Sequence, residues 1–210
     1  MTIAADDMRR FLMRFATNVA DQREELTRLD SAIGDGDHGI NMDRGMKAVI
    51  EALPGIEGGG AGSLLKQAGM RLISTVGGAS GPLYGTFFLR MGTALGDAAD
   101  VSREQFVAAL RAGLDGVASR GKAQLDDKTM VDAMTPAVEA LESSPDSGWA
   151  QALARAAEAA ASGRDRVTPL VARKGRASYL GERAAGHQDP GATSTALLFA
   201  TLRDTFTDQA

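Results

Sequence analysis

Residues 30–42 read DSAIGDGDHGINM, and their composition is poor for a helix but rich in chemistry. Asp30, Asp35 and Asp37 put three carboxylates within one short run, beside His38, one of the two histidines in the chain. Carboxylates gathered this closely repel one another unless a cation or a donor neutralises them. They are hard oxygen ligands, the kind Mg²⁺ takes in small number while filling its remaining positions with water and substrate phosphates. Gly34, Gly36 and Gly39 disfavour helix and let the backbone close around a ligand. A plainer reading treats the aspartates as solvated turn residues and caps, and His38 as a packed or capping side chain. The run also resembles the start of an EF-hand loop, but it lacks the glutamate that ends one.

Three other short stretches carry similar residue types. The segment 77–81, GGASG, combines glycines that let a ligand approach the backbone with a hydroxyl, Ser80. It has no lysine of the phosphate-loop kind, so taken alone it is an ordinary interhelical connection. The segment 126–130, DDKTM, offers Thr129 at a helix start, and 186–194, GHQDPGATS, offers Thr193 and Ser194 at another. The nine methionines read mainly as core filler, and His187 as a turn residue.

The elements that must position these stretches are helices. Met8, Phe11, Leu12, Phe15 and Val19 recur at helical spacing, continued by Leu26 and Leu29, which predicts one helix ending near Asp30. Further helices are predicted over His38–Ala52, Ala61–Thr75, Pro82–Leu95, Ser102–Ser119, Thr129–Leu141 and Ser147–Ala161, with a last one from Pro190 or Gly191 to Phe206. Pro82 suits a first turn, and Ser102 with Gln105 three residues on suits an N-cap. No alternating strand pattern with hairpin turns is present, so the class is all-α. Residues 55–62 and 164–177 are the expected loops, and no linker or fixed-period repeat divides the chain, which reads as a single domain over 1–210.

Composition narrows the function. Hydrophobic residues are 44% and charged residues 24%, as in a soluble globular protein. A net charge of −4 and 5% aromatic residues argue against nucleic-acid binding. There is no cysteine, no signal-peptide pattern and no membrane-length apolar run, which together point to the cytoplasm. If short connections make consecutive helices antiparallel neighbours, alternate connections fall at one end. The connections at one end then hold the aspartate run, GGASG, DDKTM and GHQDPG, and four helix N-termini point toward them. Their unpaired N–H groups and dipoles suit phosphate oxygens. Together with three carboxylates, this predicts a site for a metal-bridged polyphosphate.

LDSAIGDGDHGINMDRG, GGASGPLYGTFF, DDKTMVDAMTPA and RKGRASYLGERAAGHQDPGATS stand in the order, and near the spacing, of the nucleotide-binding L subunits of bacterial dihydroxyacetone kinases, which this chain resembles from about residue 8 to 206. The resemblance implies an eight-helix antiparallel up-and-down barrel with the nucleotide at one rim. It implies that Asp30, Asp35 and Asp37 hold two Mg²⁺ ions, and that the helix start His38, Gly39, Ile40 and Asn41 lies on the phosphates with Gly78, Ala79 and Ser80. Gly121, Thr129 and Met130 would line the base pocket, and Arg176 with Asp189, Pro190 and Gly191 would close it. It further implies tightly bound ADP/ATP, a K subunit that holds dihydroxyacetone, and an M subunit whose phosphohistidine recharges the ADP. No residue is assigned as an acid or base, because phosphoryl transfer depends chiefly on alignment and charge neutralisation. Alternative readings are a kinase subunit using exchangeable ATP on dihydroxyacetone or erythrulose, and an ADP-dependent protein binding a transcription regulator; a homodimer is compatible with each. One departure stands out: the family commonly has glycine where this chain has Asp126.

Overall fold

A computed structural model describes residues 2–56, 59–145 and 147–207. The apolar stripe from Met8 to Val19 lies on α1 (Ala5–Asp21), and Leu26, Leu29 and Ile33 lie on a separate helix, α2 (Arg23–Ile33). The single helix expected here is broken at Gln22, whose φ of −95° and ψ of 6° depart from helix. Between Val19 and Leu26 the stretch ADQREE offers only Ala20 as an apolar contact, so little burial keeps the two pieces collinear. The remaining helices are α3 (His38–Ala52), α4 (Ala61–Thr75), α5 (Ser80–Leu95), α6 (Arg103–Gly121), α7 (Met130–Glu142), α8 (Trp149–Arg166) and α9 (Pro190–Thr207).

Packing follows chain order: α1 lies beside α3, each helix from α3 to α8 beside the next, and α9 returns to α1. With α2 extending α1, the helices close an antiparallel ring of the expected kind. Its interior holds Phe11, Phe15, Tyr84, Phe87, Phe88, Phe106 and Phe199, all essentially buried, with Phe11 and Phe15 stacked at 6.1 Å. α4 and α5 approach closely. A Cβ added to Gly69 would stand 2.6 Å from the carbonyl oxygen of Gly85, so each helix fits only because the other carries no side chain there.

Local signals account for several helix starts. Ser102 accepts from the Gln105 N–H at 3.2 Å while the Gln105 side chain accepts from the Ser102 N–H at 2.8 Å, a reciprocal capping box. Thr129 caps α7 by accepting from the Val131 N–H at 3.2 Å. Other features depart from the sequence reading. α5 begins at Ser80, ahead of Pro82, and α8 runs on to Arg166. The expected loop 164–177 therefore starts later, and Arg176–Ala184 forms a 3₁₀ segment. Of the expected loop 55–62, residues 57 and 58 lie outside the described residues. Two short strands, β1 (Ile3–Ala4) and β2 (Asp100–Val101), pair antiparallel with Ile3 opposite Val101; two residues are too few to show alternation.

Candidate functional site

The α2–α3, α4–α5, α6–α7 and α8–α9 connections surround one cavity of about 380 Å³. The alternation of ends thus brings together the stretches singled out in the sequence. Asp30, Asp35, Asp37, His38, Gly78, Ala79, Ser80, Gly121, Thr129, Met130, Arg176, Asp189, Pro190 and Gly191 all line it. Gly39, Ile40 and Asn41 do not. A Cβ on Gly39 would stand 2.1 Å from the Arg23 carbonyl oxygen, so this residue seats α3 against α2. Ile40 is exposed, and buried Asn41 accepts from Arg44 Nη2 at 2.7 Å.

Asp30 is buried at the end of α2. Its Oδ2 accepts from the N–H groups of Asp37 (2.8 Å) and His38 (3.1 Å), two of the unpaired donors where α3 begins. Space for the Asp30 carboxylate comes from Gly34, where a Cβ would fall 2.1 Å from Oδ1. Ligand atoms of Asp30, Asp35 and Asp37 lie within 4.8 Å of one another. The one cation paired with them among the described residues is Arg176, whose Nη2 is 2.9 Å from Asp35 Oδ2. Three convergent carboxylates with a single arginine leave negative charge uncompensated. Their all-oxygen donor set suits a divalent hard cation.

His38 is buried behind the carboxylates and ties three connections together. Its Nδ1 lies 2.8 Å from Ser80 Oγ and its Nε2 2.9 Å from Ser194 Oγ. Tyr84 OH reaches Ser194 Oγ at 2.7 Å and Thr195 Oγ1 at 3.1 Å, and Ser194 in turn donates to the Gly191 carbonyl at 3.1 Å. Burial pulls the His38 pKa down to about 4, against the opposing charge of Asp30, so the ring is neutral at neutral pH. Burial likewise pushes the Tyr84 phenol up to about 12, though its hydroxyl partners act in the other direction. The expected Ser80 hydroxyl therefore sits in a fixed network. Tyr84 and Thr195 were not predicted as support, because a tyrosine at helical spacing reads as core until its hydroxyl partners are seen.

Opposite the carboxylates, the backbone at Gly77 and Gly78 faces open space. A Cβ on Gly77 would find Arg44 Nη2 at 3.8 Å, and one on Gly78 would find Asn41 Nδ2 at 3.9 Å. The neighbouring wall is apolar, formed by Pro82, Leu83, Val117, Ala123, Met130 and Val131. Asp189 caps α9, its Oδ2 accepting from the Ala192 N–H at 2.7 Å. Loss of solvent pushes the Asp189 carboxyl up to about 7; Asp132 and Asp30 add to the shift, while Ala192 N–H and Lys128 oppose it. His187 is exposed and is not among the lining residues. The cavity thus joins a carboxylate corner, an open backbone cradle and a flat apolar slot, which match a metal, phosphates and a base.

Comparison with known proteins gives the family. Residues 32–204 match the DAK2 domain. The chain is 45% identical over 204 residues to the PEP-dependent dihydroxyacetone kinase, ADP-binding subunit DhaL, of Escherichia coli (strain K12), covering 96% of this chain and 97% of that one. It is 39% identical to the D-erythrulose kinase of Mycolicibacterium smegmatis, where the match spans 91% of this chain but only 34% of the larger enzyme. The crystal structure of the dihydroxyacetone kinase from C. freundii in complex with AMP-PNP and Mg²⁺ superposes with a TM-score of 0.73 and 27% identity, over 97% of this chain and 34% of that one.

Proposed function

The chain belongs to the DAK2 domain family, and from that premise we propose that it is the nucleotide-carrying subunit of a phosphoenolpyruvate-dependent dihydroxyacetone kinase. The observation that carries this reading is the convergence of four helix-start connections on one cavity holding the carboxylate triad, the glycine cradle and the apolar slot. The 45% identity with the ADP-binding subunit from E. coli, over nearly all of that protein, supports this reading.

In this reading the base lies in the slot between Leu83 and Met130. The phosphates lie along Gly78, Ala79 and Ser80, toward the N-termini of α3 and α5. Asp30, Asp35 and Asp37 would hold two Mg²⁺ ions, which when bound supply neutralisation of the phosphate charge. Asp30 uses one carboxylate oxygen to fix the α3 start, and the three carboxylates offer ligand atoms within 4.8 Å of one another. Arg176, paired with Asp35 at 2.9 Å, would be a cation available to the phosphates from the α8–α9 connection. Transfer of a γ-phosphoryl group to a hydroxyl of the sugar held by a K subunit would break the bond from phosphorus to the ADP oxygen, form the bond to the sugar oxygen, and release the hydroxyl proton to solvent or the partner. His38, neutral with both ring nitrogens engaged, orients Ser80 and α9 and moves no proton. The cavity would keep ADP in place for recharging by a phosphohistidine of an M subunit.

Reconstitution tests this. With the K and M partners and a phosphoenolpyruvate-fed donor, the chain supports phosphorylation of dihydroxyacetone, whereas alone it does not. Turnover with free ATP and the K partner alone would overturn the retained-ADP reading.

A further inference from the structure

Lys128 lies in the α6–α7 connection with its side chain fully buried, in left-handed backbone at φ 62°. An ammonium so far from water normally faces a carboxylate. Among the described residues no carboxylate lies within ion-pair distance of it. Its three donors go to main-chain carbonyls: Thr168 at 2.8 Å, Leu170 at 2.9 Å and Ala184 at 2.6 Å. Two backbone bonds brace the same place, Arg173 N–H to the Asp127 carbonyl (3.0 Å) and Gly186 N–H to the Thr168 carbonyl (2.9 Å).

Both ends of one segment therefore meet on a single ammonium, and residues 171–183 form a loop closed at its base. Arg176 lies in that loop, reaching Asp35 across the cavity mouth, and Tyr179 beside it is 88% exposed. The underside of the loop rests on Ile33 through buried Ala172, Ala177 and Ala184 and half-buried Leu180, a small apolar patch. Gly175 (φ 67°) and Gly181 (φ 57°) flank the stretch that carries Arg176, so that stretch can turn while the base stays fixed.

We infer that Lys128 is a positioning residue: its ammonium clasps the base of the 170–184 loop, holds Arg176 over the carboxylate corner, and so sets how slowly nucleotide leaves. Control of release rests on the nucleotide reading above; the clasp itself does not. Hydrogen exchange on the full chain, without nucleotide, separates the two. In Lys128→Met the Arg173 and Gly186 amides exchange about tenfold faster or more while amides of α4 and α5 keep their wild-type rates, and ADP leaves faster by a similar factor. Unchanged exchange at Arg173 and Gly186, or equal acceleration in every helix, overturns the clasp. Local acceleration in a chain that binds no ADP keeps the clasp and removes the nucleotide reading. Should the variant not fold, the unsubstituted protein decides: Arg173 and Gly186 amides are protected while those of 176–180 exchange freely, and even protection throughout the loop contradicts the proposal.

Discussion

Asp126 has φ of 69°, a left-handed conformation in which aspartate is tolerated and glycine is at ease. A glycine, the residue the resemblance leads one to expect here, would take this conformation without strain. The extra charge is met by Arg166, whose Nη1 is 2.7 Å from Asp126 Oδ1 in an exposed pair. Asp126→Gly therefore loses a weak surface pair and relieves a backbone cost of about the same size, and urea unfolding should place it within about 1 kcal/mol of wild type. A loss well beyond that would mean the Arg166 pair has been undervalued. His38 provides a sharper test. Its folded pKa of about 4 lies below the ordinary histidine value, so between those pH values the unfolded chain binds more protons and stability falls on acidification. Asp189, raised to about 7, acts in the opposite direction, because there the folded chain binds more protons. Removing the imidazole in His38→Gln leaves the Asp189 contribution alone. Relative to wild type, the metal-free variant gains on the order of 3 kcal/mol as pH falls from about 6.5 to about 4. Parallel stability curves would show that His38 is not held neutral. Which residue types form the site was readable from the sequence; the hydroxyl network of Tyr84, Ser194 and Thr195 behind His38 depends on contacts between residues more than a hundred positions apart.

Helix positions follow from the sequence where periodicity and caps coincide, as at Ser102 and Thr129. They fail where a helix is polar at a junction, as at Gln22, or where the structure is held from outside, as in the 3₁₀ segment Arg176–Ala184. That segment is short, broken at Gly181, and anchored at its end by the Lys128 ammonium on the Ala184 carbonyl, from another connection. Close packing of α4 on α5 is another property that only the pair reveals. In Gly69→Ala the new methyl would meet the Gly85 carbonyl at 2.6 Å and the Leu89 N–H nitrogen at 2.8 Å, neither of which can swing aside. Thermal or urea unfolding should show a loss of about 1–3 kcal/mol, with nucleotide stoichiometry unchanged because the contact lies along the helix shafts. A fully stable variant would mean the two helices separate at little cost. Trp149 reports such unfolding well: it packs between Phe106 at 6.1 Å and Phe206 at 6.5 Å, near the start of α8 and outside the cavity lining.

For the whole molecule, counting connections was enough to place the site, since an up-and-down array puts alternate turns at one end whatever the details of packing. The cavity is bounded by those four connections. Ring closure between α9 and α1 needed the structure, because no local signal encodes contacts between the two ends of a chain. The charge balance also belongs to this scale: three carboxylates, four helix starts and one arginine make a corner that asks for cations and phosphates together. Among the described residues no helix is long and apolar enough to cross a membrane. The central claim is that this end of the barrel keeps a nucleotide as a resident group. It is tested by purifying the protein with no nucleotide added, denaturing it, and identifying what is released by chromatography and elemental analysis. The account predicts about one ADP and about two Mg²⁺ per chain. Protein that emerges without nucleotide, whether or not it binds ADP or ATP when they are supplied with Mg²⁺, would contradict it.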